Sequence, residues 1–88
     1  MLVALIAKDK EGALQTRLDN RPAHVDYLKT SGVVSQAGPL LDGETMIGSL
    51  VILDVEDMAA AEAWAANDPY AKAGLFQSVE LIPWKKVI

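Results

Sequence analysis

A chain of 88 residues is one domain, 1–88, and it carries 51% hydrophobic residues, no cysteine, a single histidine and a formal net charge of −4. A domain so small buries only roughly 60–65% of the surface its unfolded form exposes, so the apolar surplus must lie against a membrane, a ligand or another subunit. The acidic balance excludes a nucleic-acid partner, because phosphate binding needs a basic footprint.

The N-terminal run Met1 to Ala7 falls far short of the about 20 apolar residues of a spanning helix, and it meets Lys8-Asp9-Lys10-Glu11 at once. No membrane segment or signal peptide is expected, and with no cysteine the chain reads as mature from Met1 and cytoplasmic. Leu2 to Ala7 is then a first strand, ended by the charged turn. A helix is expected from about Gly12 to Thr30, with Leu14, Leu18, Val25 and Leu28 on one stripe and Gly32 as its C-cap. Pro22 lies inside it and either kinks the helix or starts a new one. Val33 to Ala37 is a second strand that Gly38-Pro39 breaks, and Asp42-Gly43 signals a turn. Met46 to Val55 is the third strand, and Asp57 caps a helix from Met58 to Asn67. Asp68 suits the N-cap of a short turn that starts at Pro69 and stops at Gly74. Leu75 to Val87 is the last strand, where Pro83 requires a bulge or an edge position.

The order β-α-β-β-α-β is the ferredoxin-like α+β pattern: a four-stranded antiparallel sheet with both helices on one face. Its other face should alternate with polar residues, but here it does not. Leu2, Ala4 and Ile6 point one way and Val3, Leu5 and Ala7 the other; Ile47, Val51, Leu53 and Val55 oppose Leu50 and Ile52. Helices can cover only one of two apolar faces. A homodimer packed through the second sheet face is therefore expected.

Candidate chemistry concentrates on the first helix. Helical spacing puts Arg21 within the apolar stripe, with Arg17 and His24 on its flank. A buried arginine needs an acceptor, so Arg21 either pairs with a carboxylate at the helix–sheet boundary or binds an anion. His24 is either a boundary residue or a general base. Asp68 is either a cap or the carboxylate that orients His24. Ser49, alone and polar on an apolar face, hydrogen-bonds a neighbour or lines a pocket. Gly38-Pro39 ends a strand or edges that pocket, and Gly48 allows a close backbone approach. Trp64 and Trp84 read as packing residues. With one histidine and no thiolate, a metal site is not expected. No nucleophile elbow of the Gly-x-Ser-x-Gly kind is present.

Arg21-Pro22-Ala23-His24, Tyr27-Leu28, Gly32, Ala37-Gly38-Pro39-Leu40, Gly48 with its apolar strand, Asp68-Pro69-Tyr70, Ala73-Gly74-Leu75 and Pro83-Trp84 together resemble the YCII-related (YciI-like) family across nearly the whole chain. The resemblance implies a ferredoxin-like protomer in a dimeric α+β barrel. It also implies an active site built on the histidine of Arg-x-x-His and the aspartate of Asp-Pro, here His24 and Asp68. Around them Arg21, Arg17, Ser49, Gly38, Pro39 and Tyr70 are the candidate substrate-binding residues. Two functions are then open. One is a cofactor-free enzyme that uses the pair for general acid–base elimination, isomerisation or lyase-like chemistry on a small molecule. The other is a module that binds a small anion or metabolite without turnover.

Overall fold

Alternation along the central strands decides which residues the helices cover. In the computed structural model, which describes all 88 residues, β1 (Leu2–Asp9) pairs antiparallel with β3 (Thr45–Asp54) on one side and β4 (Phe76–Trp84) on the other, and β2 (Val34–Asp42) closes the order β2-β3-β1-β4. The register sets Val3 opposite Leu53, Leu5 opposite Val51 and Ala7 opposite Ser49. Val3, Leu5, Ala7, Val51 and Leu53 form the core with Val55, Ala61 and Trp64. The helices α1 (Leu14–Thr30) and α2 (Met58–Asn67) and the single turn α3 (Pro69–Lys72) connect the strands. Asp57 accepts the Ala60 N–H at 2.8 Å and starts α2 as its sequence suggested.

Trp64 ties the two long helices together. Its indole N–H donates to Ser31 Oγ at 3.0 Å, its carbonyl accepts from Tyr27 Oη at 2.8 Å, and the Tyr27 and Trp64 ring centroids lie 4.8 Å apart.

Four expectations need correction. The second strand does not stop at Gly38-Pro39 but continues to Asp42, with Pro39 opposite Ser49. β2 is an edge strand, where a missing N–H can face outward without breaking the ladder. The last strand ends at Trp84 instead of Val87. Of the two roles open to Pro22, it does not start a new helix, so His24 sits in a helix interior, away from any first turn. Finally, only the second half of the apolar stripe of α1, Val25 and Leu28, faces inward. Arg17 and His24 are the buried residues of α1, whereas Arg21, Leu14 and Leu18 are exposed. The helix turns polar groups inward because a cavity, and not packed core, lies beneath them.

The second sheet face is apolar as the alternation indicated. Leu50, Ile82 and Trp84 lie on it at 39%, 44% and 40% exposure.

Gly48 faces Lys8 across the β1–β3 ladder, and a Cβ built there would collide with the Ala7 carbonyl oxygen. Gly38 has nothing within 4 Å of the equivalent position. Gly48→Ala is therefore expected to lower stability by about 1–3 kcal/mol, the usual cost of forcing atoms into a filled site. Gly38→Ala should match or exceed the parent. Urea unfolding of the two variants side by side checks this, and equal midpoints would refute it.

Candidate functional site

α3 exists because Asp68 precedes Pro69. Proline disfavours the helical region for its predecessor, and Asp68 is extended at φ −61°, ψ 128°, with its carboxylate free to cap. Asp68 Oδ1 accepts the Tyr70 backbone N–H at 3.0 Å. The same Oδ1 lies 2.7 Å from His24 Nδ1, with both side chains buried. Asp68 is thus cap and orienter at once. An ionised carboxylate can only accept, so the proton of a neutral imidazole sits on Nδ1 and leaves Nε2 with a lone pair.

The cap also sets the Tyr70 ring. That ring stacks on the His24 imidazole with centroids 3.8 Å apart and planes 13° from parallel. The guanidinium of Arg17, two helical turns before His24, sits 4.6 Å from the Tyr70 centroid. Phe76 meets the Tyr70 ring edge-on at 6.0 Å.

Arg17 is held from the other side by β1. Its Nε donates to Asp9 Oδ2 at 2.7 Å and its Nη2 to Asp9 Oδ1 at 2.9 Å, a bidentate pair with both side chains nearly buried. Nη2 also donates to Ser49 Oγ at 2.9 Å. Burial disfavours the Arg17 charge, but the hydrogen bonds and charge of Asp9 outweigh it and hold the guanidinium above its ordinary range. The expected carboxylate partner for a buried arginine is therefore present, but on Arg17 and not Arg21. Asp9 was not singled out from the sequence, because it lies in what reads as a charged turn.

These groups line an open-mouthed cavity of about 230 Å³ between α1 and the β2–β3 side of the sheet. Arg17, Arg21, His24, Ser49, Gly38, Pro39 and Tyr70 all line it; Asp68 stands behind His24 and does not. The remaining lining is apolar: Val25, Leu28, Ala37, Met46 and Val51. None of these five was expected at a site, since apolar residues on helix and strand give no signal apart from core. No aspartate or glutamate lines the cavity, and Arg21 forms no salt bridge. No group of three or more His, Cys, Asp or Glu side chains gathers to hold a metal ion.

Burial pushes the Tyr70 phenol above its ordinary pKa, and Asp68 adds to this, against the opposite pull of Arg17 and Arg21. Burial and the Asp68 charge raise Tyr27 likewise. A phenol raised in the fold keeps its proton where the unfolded chain has lost it. Its contribution is complete below the unfolded pKa of about 10 and is lost as pH rises through the folded value. Tyr70→Phe keeps the ring and removes that proton, so it should flatten the loss of stability above about pH 10 and leave the slope near neutrality unchanged. Thermal melts of both proteins across this range test it; parallel alkaline slopes would count against it.

The comparisons with known proteins agree with this fold. The chain is 39% identical to the protein YciI of Escherichia coli O6:H1 over 97 aligned residues, covering 99% of each. It is 36% identical to an uncharacterised protein of Haemophilus influenzae, also over 99% of each. Among solved structures it resembles 5-chloro-2-hydroxyhydroquinone dehydrochlorinase (TftG) of Burkholderia phenoliruptrix AC1100, determined in complex with 2,5-dihydroxybenzoquinone, with TM-score 0.88, 35% identity and coverage of 97% of this chain and 94% of that one. An antibiotic biosynthesis monooxygenase shares the fold alone, at TM-score 0.59 and 16% identity over 98% of this chain and 100% of that one. The model of the YCII-related domain matches residues 1–85, and the chain belongs to that family.

Proposed function

We propose that this protein is a cofactor-free small-molecule enzyme in which His24 is the general acid–base and Asp68 its orienting partner. The observation that supports this most directly is the 2.7 Å contact between His24 Nδ1 and Asp68 Oδ1, made by a histidine that lines the cavity. Asp68 fixes the tautomer and stabilises the imidazolium; Nε2 takes a proton from an acidic C–H or O–H of the bound ligand. The electron pair released then expels a leaving group, an elimination, or the proton returns at another position, an isomerisation. Such transfer is typically worth about 10²–10⁴-fold in rate.

The likeness to TftG favours elimination from a single oxygenated ring. The cavity supports that size, because about 230 Å³ lies below the roughly 300–1,000 Å³ of pockets for drug-sized ligands. With Arg21 unpaired and no carboxylate lining the cavity, the preferred ligand carries negative charge.

The working unit in this reading is a homodimer formed through the exposed sheet face. A second copy offers the same apolar strip of Leu50, Ile82 and Trp84, which suits an isologous contact. No helix of the chain is long and apolar enough to cross a membrane, and the cysteine-free composition fits work in the cytoplasm.

Two measurements decide between these statements and their alternatives. The protein is incubated with 5-chloro-2-hydroxyhydroquinone and with its unchlorinated parent in deuterated buffer, and chloride release and deuterium uptake are followed. The native chain should accelerate one or both. His24→Ala should abolish the acceleration, and Asp68→Asn should lower it about 10²–10⁴-fold while keeping a good helix cap. A melting shift with these compounds but no product and no exchange would assign a binding module instead, and a fully active His24→Ala would end the acid–base reading. For the assembly, light scattering should return twice the mass of one 9.4 kDa chain at micromolar concentration, and a monodisperse monomer would refute the dimer.

A further inference from the structure

Two hydroxyl groups in the cavity have protons and no protein acceptor. Arg17 Nη2 donates to Ser49 Oγ, which occupies an oxygen lone pair and leaves the Ser49 O–H to be given elsewhere. Ser49 is 3% exposed and Tyr70 1% exposed, and neither hydroxyl donates to any protein group. Both residues line the cavity. No buried side-chain polar atom lacks a partner altogether; what these two hydroxyls keep is a proton not given to the protein, which an acceptor on a ligand can take.

Arg17 is not that partner's counter-charge. Its guanidinium is already matched by Asp9 through two hydrogen bonds, and the pair as a whole is close to neutral. The uncompensated positive charge of the cavity belongs to Arg21, which lines it without a salt bridge.

We infer that Ser49 and Tyr70 are the hydroxyl donors that read an oxyanion, with Arg21 as its counter-charge, and that Arg17 and Asp9 are positioning residues that aim the Ser49 hydroxyl into the cavity. The assignment rests on the acid–base reading above and deepens it to a ligand class. The site takes a planar enolate or phenolate with acceptor oxygens, and it rejects an isostere that presents N–H donors in their place. Rejection follows because the two O–H donors that line the cavity would face a group with nothing to accept them.

The test needs no turnover. para-Nitrophenolate, whose colour reports its ionisation, and para-nitroaniline, its neutral amine isostere, are titrated separately into the native protein above the pKa of the phenol. The native chain should prefer the phenolate by at least about tenfold, the effect of a hydrogen bond to a charged group. Ser49→Ala and Tyr70→Phe should each weaken phenolate binding about tenfold and leave the aniline within about twofold. Arg17→Lys keeps the charge but loses the fork that spans Asp9 and Ser49. It should cut the phenolate preference as Ser49→Ala does, and combining the two should add little, the signature of a shared interaction. Equal affinity for the two probes, failure to bind either, or an unchanged preference in Ser49→Ala and Tyr70→Phe would overturn the assignment. Additive losses in the Arg17→Lys and Ser49→Ala pair would overturn the positioning role. A protein that selects the phenolate but moves no proton refutes the acid–base reading alone. One that exchanges protons without selecting the phenolate refutes this assignment alone.

Discussion

One carboxylate oxygen organises the site. Asp68 Oδ1 accepts both the Tyr70 backbone N–H and the His24 ring N–H. The first bond makes the turn of α3; the second fixes the imidazole. Because the capped residue is also the one whose ring stacks on that imidazole, local backbone geometry and side-chain placement are set together. The group that orients the candidate base does not depend on a mobile loop. It is held by the helix start it creates, and this kind of support keeps reacting groups within the narrow limits that chemistry needs.

The opposite wall shows the same economy. Arg17 reaches Asp9 on β1, Ser49 on β3 and the Tyr70 ring after α2. Removing its carboxylate would strand a buried charge, an error costing several kcal/mol. So the inward side of α1 is polar without being unsatisfied: no buried side-chain nitrogen or oxygen lacks a partner or an opening. The apolar residues Val25, Leu28, Met46 and Val51 complete the lining and lower the local dielectric, which strengthens each polar contact made there.

The fold was legible in the strands, and the site only where residues stood out chemically. Two-faced alternation in β1 and β3 located the core and the bare sheet face, since period-two patterns survive any error in strand ends. The inward face of the first half of α1 was not legible. Leu14 and Leu18 form an apolar stripe that a periodicity argument turns inward, yet both are exposed and Arg17 takes their place. The energy that decides this lies in Asp9 and Ser49, eight and thirty-two residues away along the chain, and no local pattern contains it. Gly38-Pro39 misled for a related reason: these residues break a central strand but not an edge strand, and edge status is a property of the whole sheet. His24 and Asp68 could each be read as unremarkable alone, and it took the order of several short motifs to pair them.

The two in-strand prolines have a consequence beyond the site. Pro39 lies in β2 and Pro83 in β4, the two outer strands of the sheet. An open sheet with free edges invites a foreign strand to add on and extend it into a fibril. A proline on each margin interrupts the row of donors such a strand would need. The sheet is thereby guarded against sideways growth even though one broad face stays apolar.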